Sequence, residues 1–303
     1  MASPLFNRSQ PGGINTIYDP TYTSGNIFFV SSTAAGAADS VGAGRDPDKP
    51  FATIDYAIGQ CTASNGDKIF VLPYHAETVA GAAGINLDVA GVSVIAVGEG
   101  AARPTITMSA VASTIGMNAA GCQINGFLIL FTEDVTIGVD INAADCIVRN
   151  CEFRNKLTAT AKEAVTMIDV TSAANAADRT LIEGCKFYAQ TAGTTQAIEL
   201  GEVNDKVRIR DCEAWGDYST ACIHNPTGKV LTLLTIEGCT LQNVNSGSHS
   251  IELVSACTGA LKENFYHNAM TQATCVDPGS CFSFQCFQDD VVDTSGILTP
   301  AVT

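Results

Sequence analysis

Short segments in which apolar and polar residues alternate recur along this chain and align without gaps. The clearest are CQINGFLI (122–129), CIVRNCEF (146–153), TLIEGCKF (180–187), VRIRDCEA (207–214), LTIEGCTL (234–241) and GALKENFY (259–266). Alternation with a period of two is typical of a β-strand, whereas the apolar positions of a helix recur every three or four residues. Repetition of one strand pattern at similar intervals is typical of a solenoid. The chain is therefore predicted to be all-β, a parallel β-helix.

Equivalent positions of the aligned segments have the chemistry expected of stacked strands. The aliphatic column consists of Ile124, Val148, Ile182, Ile209, Ile236 and Leu261. The residue that follows is polar, and in this charged column the sign alternates from coil to coil: Asn125, Arg149, Glu183, Arg210, Glu237 and Lys262. Neighbouring strands of a parallel sheet lie about 4.8 Å apart, so opposite charges in adjacent coils support the register. Two earlier coils are predicted at DKIFVL (67–72) and VSVIAV (92–97).

A cysteine column lies three residues after the aliphatic column: Phe127, Cys151, Cys185, Cys212, Cys239 and Asn264. Parallel strands in register hold Cβ atoms side by side at about 4.8 Å, whereas a disulfide needs Cβ atoms about 3.5–4.5 Å apart with crossed bond vectors. We therefore expect reduced thiols that fill the interior. Near the C-terminus, Cys275, Cys281 and Cys286 occur with His267, but their spacing matches no common zinc site. No metal and no cofactor are expected.

The sequence before the repeats resembles the start of a known fold family. Residues 50–54 are Pro-Phe-Ala-Thr-Ile, residues 66–71 are Gly-Asp-Lys-Ile-Phe-Val, and residues 73–77 are Pro-Tyr-His-Ala-Glu. In this order the three motifs resemble the opening of pectate-lyase-like right-handed β-helix proteins, without the turn glycine. The resemblance implies a right-handed parallel β-helix with a short N-terminal capping helix. It implies little about activity, because the fold hosts lyases, hydrolases, binding modules and virion proteins, and the calcium-binding aspartates and catalytic arginine of those lyases have no match here.

Composition divides the chain into three regions. Residues 1–25 contain several prolines and glycines and are predicted to be an extended arm that docks on another protein through Leu5, Phe6, Ile14, Ile17 and Tyr18; the alternative is a disordered tail. Residues 26–276 are predicted to form the β-helix, with a capping helix near 51–60 whose apolar face is Phe51, Ile54, Ala57 and Ile58. Residues 277–303 leave the repeat and are predicted to be a C-terminal extension that either caps the last coil or pairs with a neighbouring subunit.

A second set of short strands places a polar residue between two mostly apolar ones, at Asp88, Asn118, Asp140, Asp169, Glu199, His224 and Glu252. Stacked carboxylates repel one another, so this acidic column needs an explanation. One interpretation is a glycoside hydrolase or polysaccharide lyase in which the pair of acids comes from Asp140, Asp169 and Glu199, with His224 as a proton shuttle. The column could instead hold a cation or sugar hydroxyls. The favoured interpretation is a solvated face or a subunit interface without catalytic residues.

The only tryptophan of the sequence, Trp215, lies near the acidic residue Asp217 and near Tyr218. An exposed aromatic pair is a candidate platform for stacking a sugar ring, so Trp215 and Tyr218 are candidate glycan-binding residues. The alternative is that this tryptophan packs a loop against the coil.

The net charge argues against one class of partner, nucleic acid. The chain has 16 Lys and Arg against 31 Asp and Glu, a net charge of −15. Binding to nucleic acid is therefore not expected, because phosphates are bound by clustered Lys and Arg.

The longest apolar stretches of the chain are shorter than the ~18 residues that a membrane helix needs. The N-terminus shows no export signal, so we expect a cytoplasmic site of synthesis and assembly.

An acidic solenoid with an adhesive arm resembles a bacteriophage structural protein. The resemblance implies a non-enzymatic capsid decoration, or cement, protein on the virion surface, a homotrimer that binds the major capsid protein and does not contact nucleic acid or membrane. The alternative is a tail-spike-like protein of the same fold, which binds or degrades a glycan through the acidic column.

Overall fold

The computed structural model describes residues 23, 25–155, 162–171, 173–268, 275–290 and 296–298. The predicted arm lies outside this part of the chain except for residues 23 and 25. Within the described residues there is one α-helix, α1 (Ile54–Gly59), and a 3₁₀ turn at Gly100–Ala102. No helix there is long and apolar enough to span a membrane.

The strands are short and follow one another along the chain. They are β1 Ile27–Val30, β2 Lys68–Val71, β3 Ala76–Val79, β4 Ile85–Leu87, β5 Ser93–Ala96, β6 Thr105–Met108, β7 Ile115–Met117, β8 Gln123–Asn125, β9 Leu128–Phe131, β10 Val135–Ile141, β11 Ile147–Arg149, β12 Glu152–Asn155, β13 Ala164–Asp169, β14 Leu181–Glu183, β15 Lys186–Ala189, β16 Gln196–Glu199, β17 Arg208–Arg210, β18 Glu213–Gly216, β19 Ala221–His224, β20 Leu234–Glu237, β21 Thr240–Asn243, β22 His249–Glu252, β23 Thr258–Lys262, β24 Phe265–Asn268, β25 Val276–Asp277, β26 Ser280–Phe284, β27 Cys286–Asp290 and β28 Gly296–Leu298.

From β2 to β27 every third strand joins the same sheet, which confirms the predicted parallel β-helix. The first sheet has the order β1-β2-β5-β8-β11-β14-β17-β20-β23-β26, the second β3-β6-β9-β12-β15-β18-β21-β24-β27-β28, and the third β4-β7-β10-β13-β16-β19-β22-β25. All of these pairs are parallel except β27 with β28. The chain makes about seven turns between the first and last strands of the third sheet.

The predicted register of the first sheet is confirmed. The residues of the aliphatic column are direct partners on successive strands, from Ile124 through Val148 to Leu261. All are buried, so this column is one wall of the core. In the charged column, Glu183 lies between Arg149 and Arg210 and forms an ion pair with each. Partly exposed pairs of this kind contribute about 0–1 kcal/mol each, so their main effect is on register.

The corner between the first and second sheets consists of one residue in the left-handed conformation followed by the buried residue of the cysteine column. Asn150 and Asp211 adopt this conformation at φ of 52° and 53°, and Gly184 and Gly238 adopt it on the coils that follow them. A Cβ atom would lie 2.6 Å from Oδ1 of Asn150 at Gly184, and 2.7 Å from Oδ1 of Asp211 at Gly238. Glycine is therefore required at these two corners, 184 and 238, each of which follows a coil whose corner carries a larger residue.

All twelve cysteines are free thiols, as predicted for the cysteine column. Cys185, Cys212 and Cys239 donate to the carbonyl oxygens two residues earlier, at 3.5, 3.3 and 3.4 Å. Burial raises the pKa of Cys151 to about 11. The thiol of Cys151 is therefore protonated at neutral pH, and the thiols of the column fill the interior.

The two ends of the coil differ. Helix α1 closes the N-terminal end: the hydroxyl of its N-cap, Thr53, accepts from the amide of Tyr56 at 3.4 Å, and Ile54, Ala57 and Ile58 are buried against the first coils. At the other end the coil continues beyond the predicted boundary at residue 276. Strand β26 pairs in parallel with β23, and β27 with β24, because the alternating segment from Ser280 has the pattern of one more coil.

Candidate functional site

The four candidate catalytic residues lie on one face of the third sheet. Asp140 is the direct partner of Asp169, Asp169 of Glu199, and Glu199 of His224. The column continues to Glu252 and Asp277. The structure therefore brings together all the residues on which the hydrolase or lyase interpretation depends.

Two members of the predicted acidic column do not belong to it. The partner of Asp140 on β7 is Gly116, and the partner of Gly116 on β4 is Asn86, so Asn118 and Asp88 lie two residues further along. A shift of two keeps a side chain on the same face of a strand, so alternation alone did not reveal the error. Asn118 instead belongs to a short ladder of amides, in which it donates to Asn86 at 2.8 Å and accepts from Asn142 at 3.1 Å.

Asp169 is the central carboxyl of the site and is only 5 % exposed. Burial raises its pKa to about 8, and the negative charges of Glu199 and Asp140 add to the effect. Its Oδ1 atom is buried and has no hydrogen-bond partner in the described part of the chain. Asp169 is therefore protonated at neutral pH, between two carboxyl groups on the adjacent coils.

The neighbouring acids are held by polar side chains. Thr171 donates its hydroxyl to Oδ1 of Asp140 at 3.2 Å. The hydroxyl of Thr166 donates to Oε2 of Glu199 at 3.3 Å, and the amide nitrogen of Gln196 donates to the same oxygen. These contacts orient the two outer carboxyl groups along the sheet.

The chain after Glu199 passes directly over the central acid. A Cβ atom at Gly201 would lie 2.9 Å from Oδ1 of Asp169 and would overlap the methyl group of Thr171. Glycine at this position permits the close approach that buries Asp169. Among the described residues, no group of three or more His, Cys, Asp or Glu side chains is arranged to hold a metal ion. The arrangement can store a proton on Asp169, but it presents only the outer acids, Asp140 and Glu199, to a ligand.

The two candidate glycan-binding residues are in different environments. Trp215 is 49 % exposed on the outer face of the second sheet, whereas Tyr218 is fully buried. The Tyr218 hydroxyl donates to the carbonyl oxygen of Phe187 at 3.1 Å, so this side chain belongs to the core and offers no ring face to a sugar. The aromatic partner of Trp215 is Tyr188, directly opposite on β15, with ring centroids 6.3 Å apart and ring planes at 70°.

Trp215 and Tyr188 line a groove of about 800 Å³, which we call the aromatic groove. Its other lining residues are Leu130, Glu152, Arg154, Ala189, Gln190, Gly216, Asp217 and Val244. No residue of the acidic column lines it, because the groove lies on the second sheet and the column on the third. The two candidate sites are therefore separate.

The remaining candidate residues lie elsewhere. The arm residues Leu5, Phe6, Ile14, Ile17 and Tyr18 are outside the described residues. Cys281 and Cys286 are buried and donate to the carbonyl oxygens of Cys257 and Leu261, at 3.8 and 3.5 Å, on the preceding coil. These two thiols fill the interior like those of the cysteine column.

Comparisons with known proteins support the fold. No family model and no curated protein matches the sequence. The chain is similar to the crystal structure of pectate lyase Pel9A, with 11 % identity and a TM-score of 0.55 over 92 % of this chain and 81 % of that one. It is also similar to ORF18 of Geobacillus virus E2, with 9 % identity and a TM-score of 0.40 over 89 % of this chain and 63 % of that one. At 11 % identity, the similarity to the pectate lyase shows a pectate-lyase-like β-helix fold and nothing about activity.

Proposed function

We propose that the protein is a non-enzymatic structural component of a bacteriophage particle, a capsid decoration protein that binds the major capsid protein as a homotrimer. The observation that carries this proposal is the phenylalanine end, a cluster of four exposed rings on the last coils: Phe265, Phe282, Phe284 and Phe287. An isolated protein rarely gathers large apolar side chains at one end, and such a patch typically marks a protein–protein contact.

The geometry of the phenylalanine end suits association between copies. Phe282 and Phe284 are 78 % and 60 % exposed on β26, the outermost strand of the first sheet. Such a strand has backbone groups that no further strand satisfies within the described residues, and natural proteins usually cover or charge edges of this kind. Phe265 and Phe287 are direct partners around the corner on the second sheet. In the proposed trimer, the three phenylalanine ends cover one another.

The arm and the overall charge support the other parts of the proposal, attachment to the major capsid protein and the absence of contact with nucleic acid. In this proposal residues 1–25 attach the trimer to the major capsid protein, through Leu5, Phe6, Ile14, Ile17 and Tyr18. The net charge of −15 keeps the surface of the particle soluble and disfavours contact with packaged nucleic acid. The protein therefore belongs on the outside of the virion, and its role there requires no cofactor.

Deletion of residues 1–25 is expected to abolish attachment to the particle. The expected loss of affinity is at least about 100-fold, because about 3 kcal/mol is a typical contribution of a few buried apolar anchors. Particle imaging measures the copy number on the head lattice for the full chain and the deletion variant. Many symmetric copies for the full chain, and none for the variant, support the proposal. Unchanged attachment of the variant contradicts the role of the arm, and copies only at the tail contradict decoration.

The double variant Phe282→Ser, Phe284→Ser is expected to convert the trimer into monomers. Two exposed rings lose their apolar contacts with the neighbouring copies, while the interior of the coil keeps all its side chains. Light scattering after size-exclusion chromatography measures the mass. A matched control is Tyr74→Ser, which removes an equally exposed ring from the opposite half of the chain. A wild-type monomer, or a variant that stays trimeric, contradicts the proposed contact.

A tail-spike-like protein that binds or degrades a glycan is the second candidate. The observation that favours it is the register of Asp140, Asp169, Glu199 and His224 on one face. This function predicts that purified protein releases reducing or unsaturated ends from a bacterial surface polysaccharide, and that Glu199→Gln abolishes the release. Full activity of the Glu199→Gln variant rejects the acidic column as the active site.

A further inference from the structure

At Trp215 the second sheet directs a large aromatic side chain into solvent, where the strand pattern would allow a small polar residue. On β18, Trp215 lies between Ala214 and Gly216, which are both buried. Since neighbouring residues of a strand point to opposite faces, the indole projects away from the core. The rings of Tyr188 and Trp215 pack at 70° with centroids 6.3 Å apart, so Tyr188 contacts the indole, which stays 49 % exposed.

The floor of the aromatic groove consists of small residues. A Cβ atom at Gly216, which has φ of 143°, would overlap the carbonyl group of Ala189 on the preceding coil. Glycine is therefore required there, and with Ala189 it leaves an open floor beside the indole. Leu130 and Val244 line the two ends of the groove. A volume of about 800 Å³ lies within the range of small-molecule sites.

The polar residues of the groove have balanced charges. Glu152 accepts from Arg103 at 2.7 Å and lies 3.4 Å from Arg154. Beside them Lys186 and Glu213 form a pair at 3.3 Å. The positive and negative side chains around the groove therefore balance one another, and the groove does not strongly attract a highly charged ligand.

Donors and acceptors nevertheless surround the indole. Arg154 and Gln190 carry donors, and Glu152, Asp217 and the side-chain oxygen of Gln190 are acceptors. Asp217 already accepts from the amide of Asn245 at 3.0 Å and keeps its second oxygen for a ligand. A hydroxyl-rich ring matches this arrangement, because its C–H face packs on an aromatic ring while its hydroxyls exchange hydrogen bonds at the rim.

We propose that the aromatic groove is a binding site for a neutral oligosaccharide, whose pyranose ring stacks on Trp215. Glu152 and Asp217 accept from its hydroxyl groups, and Arg154 and Gln190 donate to them. The site lies on the second sheet, apart from both the acidic column and the phenylalanine end, and involves no bond cleavage. It adds glycan adhesion to the proposed structural role and does not depend on that role.

The single tryptophan makes the test direct, since all indole fluorescence reports on this groove. Neutral oligomers of glucose, galactose, mannose and N-acetylglucosamine are titrated into the full-length protein to about 10 mM, and emission is measured with and without acrylamide. At least one oligomer is expected to shift the emission to shorter wavelength and to reduce quenching. The absence of any effect from the whole panel overturns the proposal, as does a response to oligogalacturonate or an acidic peptide alone.

Variants of the groove distinguish stacking of the sugar on Trp215 from a general effect of exposed aromatic rings on glycan affinity. Tyr188→Ala is expected to weaken binding at least about fivefold, because the indole loses the ring that orients it. Arg154→Ala is expected to weaken it about threefold to tenfold through one lost hydrogen bond. The matched control Tyr74→Ala removes an exposed ring on the early coils, which does not line the groove, and leaves the affinity unchanged. Equal weakening by the control contradicts the site.

Calorimetry with Trp215→Ala and Trp215→Phe completes the test. Trp215→Ala is expected to remove binding, and Trp215→Phe to retain part of it because a smaller ring remains. Particle attachment of Trp215→Ala is expected to equal that of the wild type. Loss of glycan binding with normal attachment supports the groove regardless of the capsid proposal, whereas normal glycan binding by Trp215→Ala overturns it.

Discussion

Replacing Asp169 with asparagine is expected to stabilise the folded protein at pH 8 and to remove most of the loss of stability between pH 4 and pH 8. Burial beneath the chain at Gly201 and the charges of Glu199 and Asp140 raise the pKa of Asp169 from 3.8 to about 8. The carboxyl is therefore neutral in the folded protein over a range in which the unfolded chain ionises it. Asparagine has a similar shape and carries no charge at any pH in this range.

The sign follows from the proton that folding takes up. Because the pKa of Asp169 is higher in the folded protein than in the unfolded chain, its protonation stabilises the fold. This contribution to the free energy of unfolding is fully present below about pH 4, decreases as the pH rises, and is lost above about pH 8. At about 1.4 kcal/mol per pKa unit, the shift sets an upper limit of about 6 kcal/mol on the change in the free energy of unfolding. Glu199→Gln is expected to reduce the dependence of the free energy of unfolding on pH, because it removes the neighbouring charge that has the larger effect on the pKa of Asp169.

Urea unfolding at pH 4, 6 and 8 measures this change in the free energy of unfolding. Asp88→Asn is the matched control, because Asp88 is exposed near the same sheet and, within the described part of the chain, its carboxylate accepts a hydrogen bond only from Asn86, at 3.3 Å. The control is expected to change stability by less than about 0.5 kcal/mol at each pH. A slope for Asp169→Asn equal to that of the wild type would show that Asp169 is ionised in the folded protein.

The register of the first sheet could be predicted because each of its columns has its own chemistry. Ile182 must be buried, and Glu183 must meet cations at its neighbours, so a shift along the strand would break two patterns at once. The third sheet offered less information. On β4 a shift of two residues exchanges one polar residue, Asp88, for another, Asn86, on the same face, and on β7 the correct partner of Asp140 is a glycine.

The aromatic groove was only half predictable. Tyr188 follows Phe187 as Trp215 follows Ala214, so the columns already contained the signal that Tyr188 and Trp215 are partners. Closeness in sequence to Trp215 makes Tyr218 the more obvious aromatic partner. Tyr218, however, comes after the end of β18 at Gly216, where the chain turns inward and buries the ring. The burial of Asp169 was not predictable, since it depends on how the segment after Glu199 crosses the sheet. Connections of this kind vary from coil to coil, and no column describes them.

Phe153→Ala is expected to destabilise the protein by about 3–5 kcal/mol, the cost of removing a fully buried phenylalanine. Phe153 and Phe187 stack inside the coil with centroids 5.0 Å apart and planes at 18°. Because each coil contacts mainly its two neighbours, the cavity weakens two interfaces between coils. Unfolding in urea measures the loss, and a broadened or two-step transition is expected if the two halves of the coil separate.

The matched control for this variant is Phe29→Ala, which breaks a similar stack on the outer face of the first sheet. Phe29 and Phe70 lie 6.2 Å apart with planes at 28°, and both are only partly buried. Since water already reaches these rings, truncation leaves no closed cavity, and we expect a loss below about 2 kcal/mol. If the two variants lose equal stability, stacking between coils, and not burial in the interior, determines the contribution of a phenylalanine. A difference of the expected size shows that the packed interior, continuous through the corners and walls of the coil, holds the solenoid together.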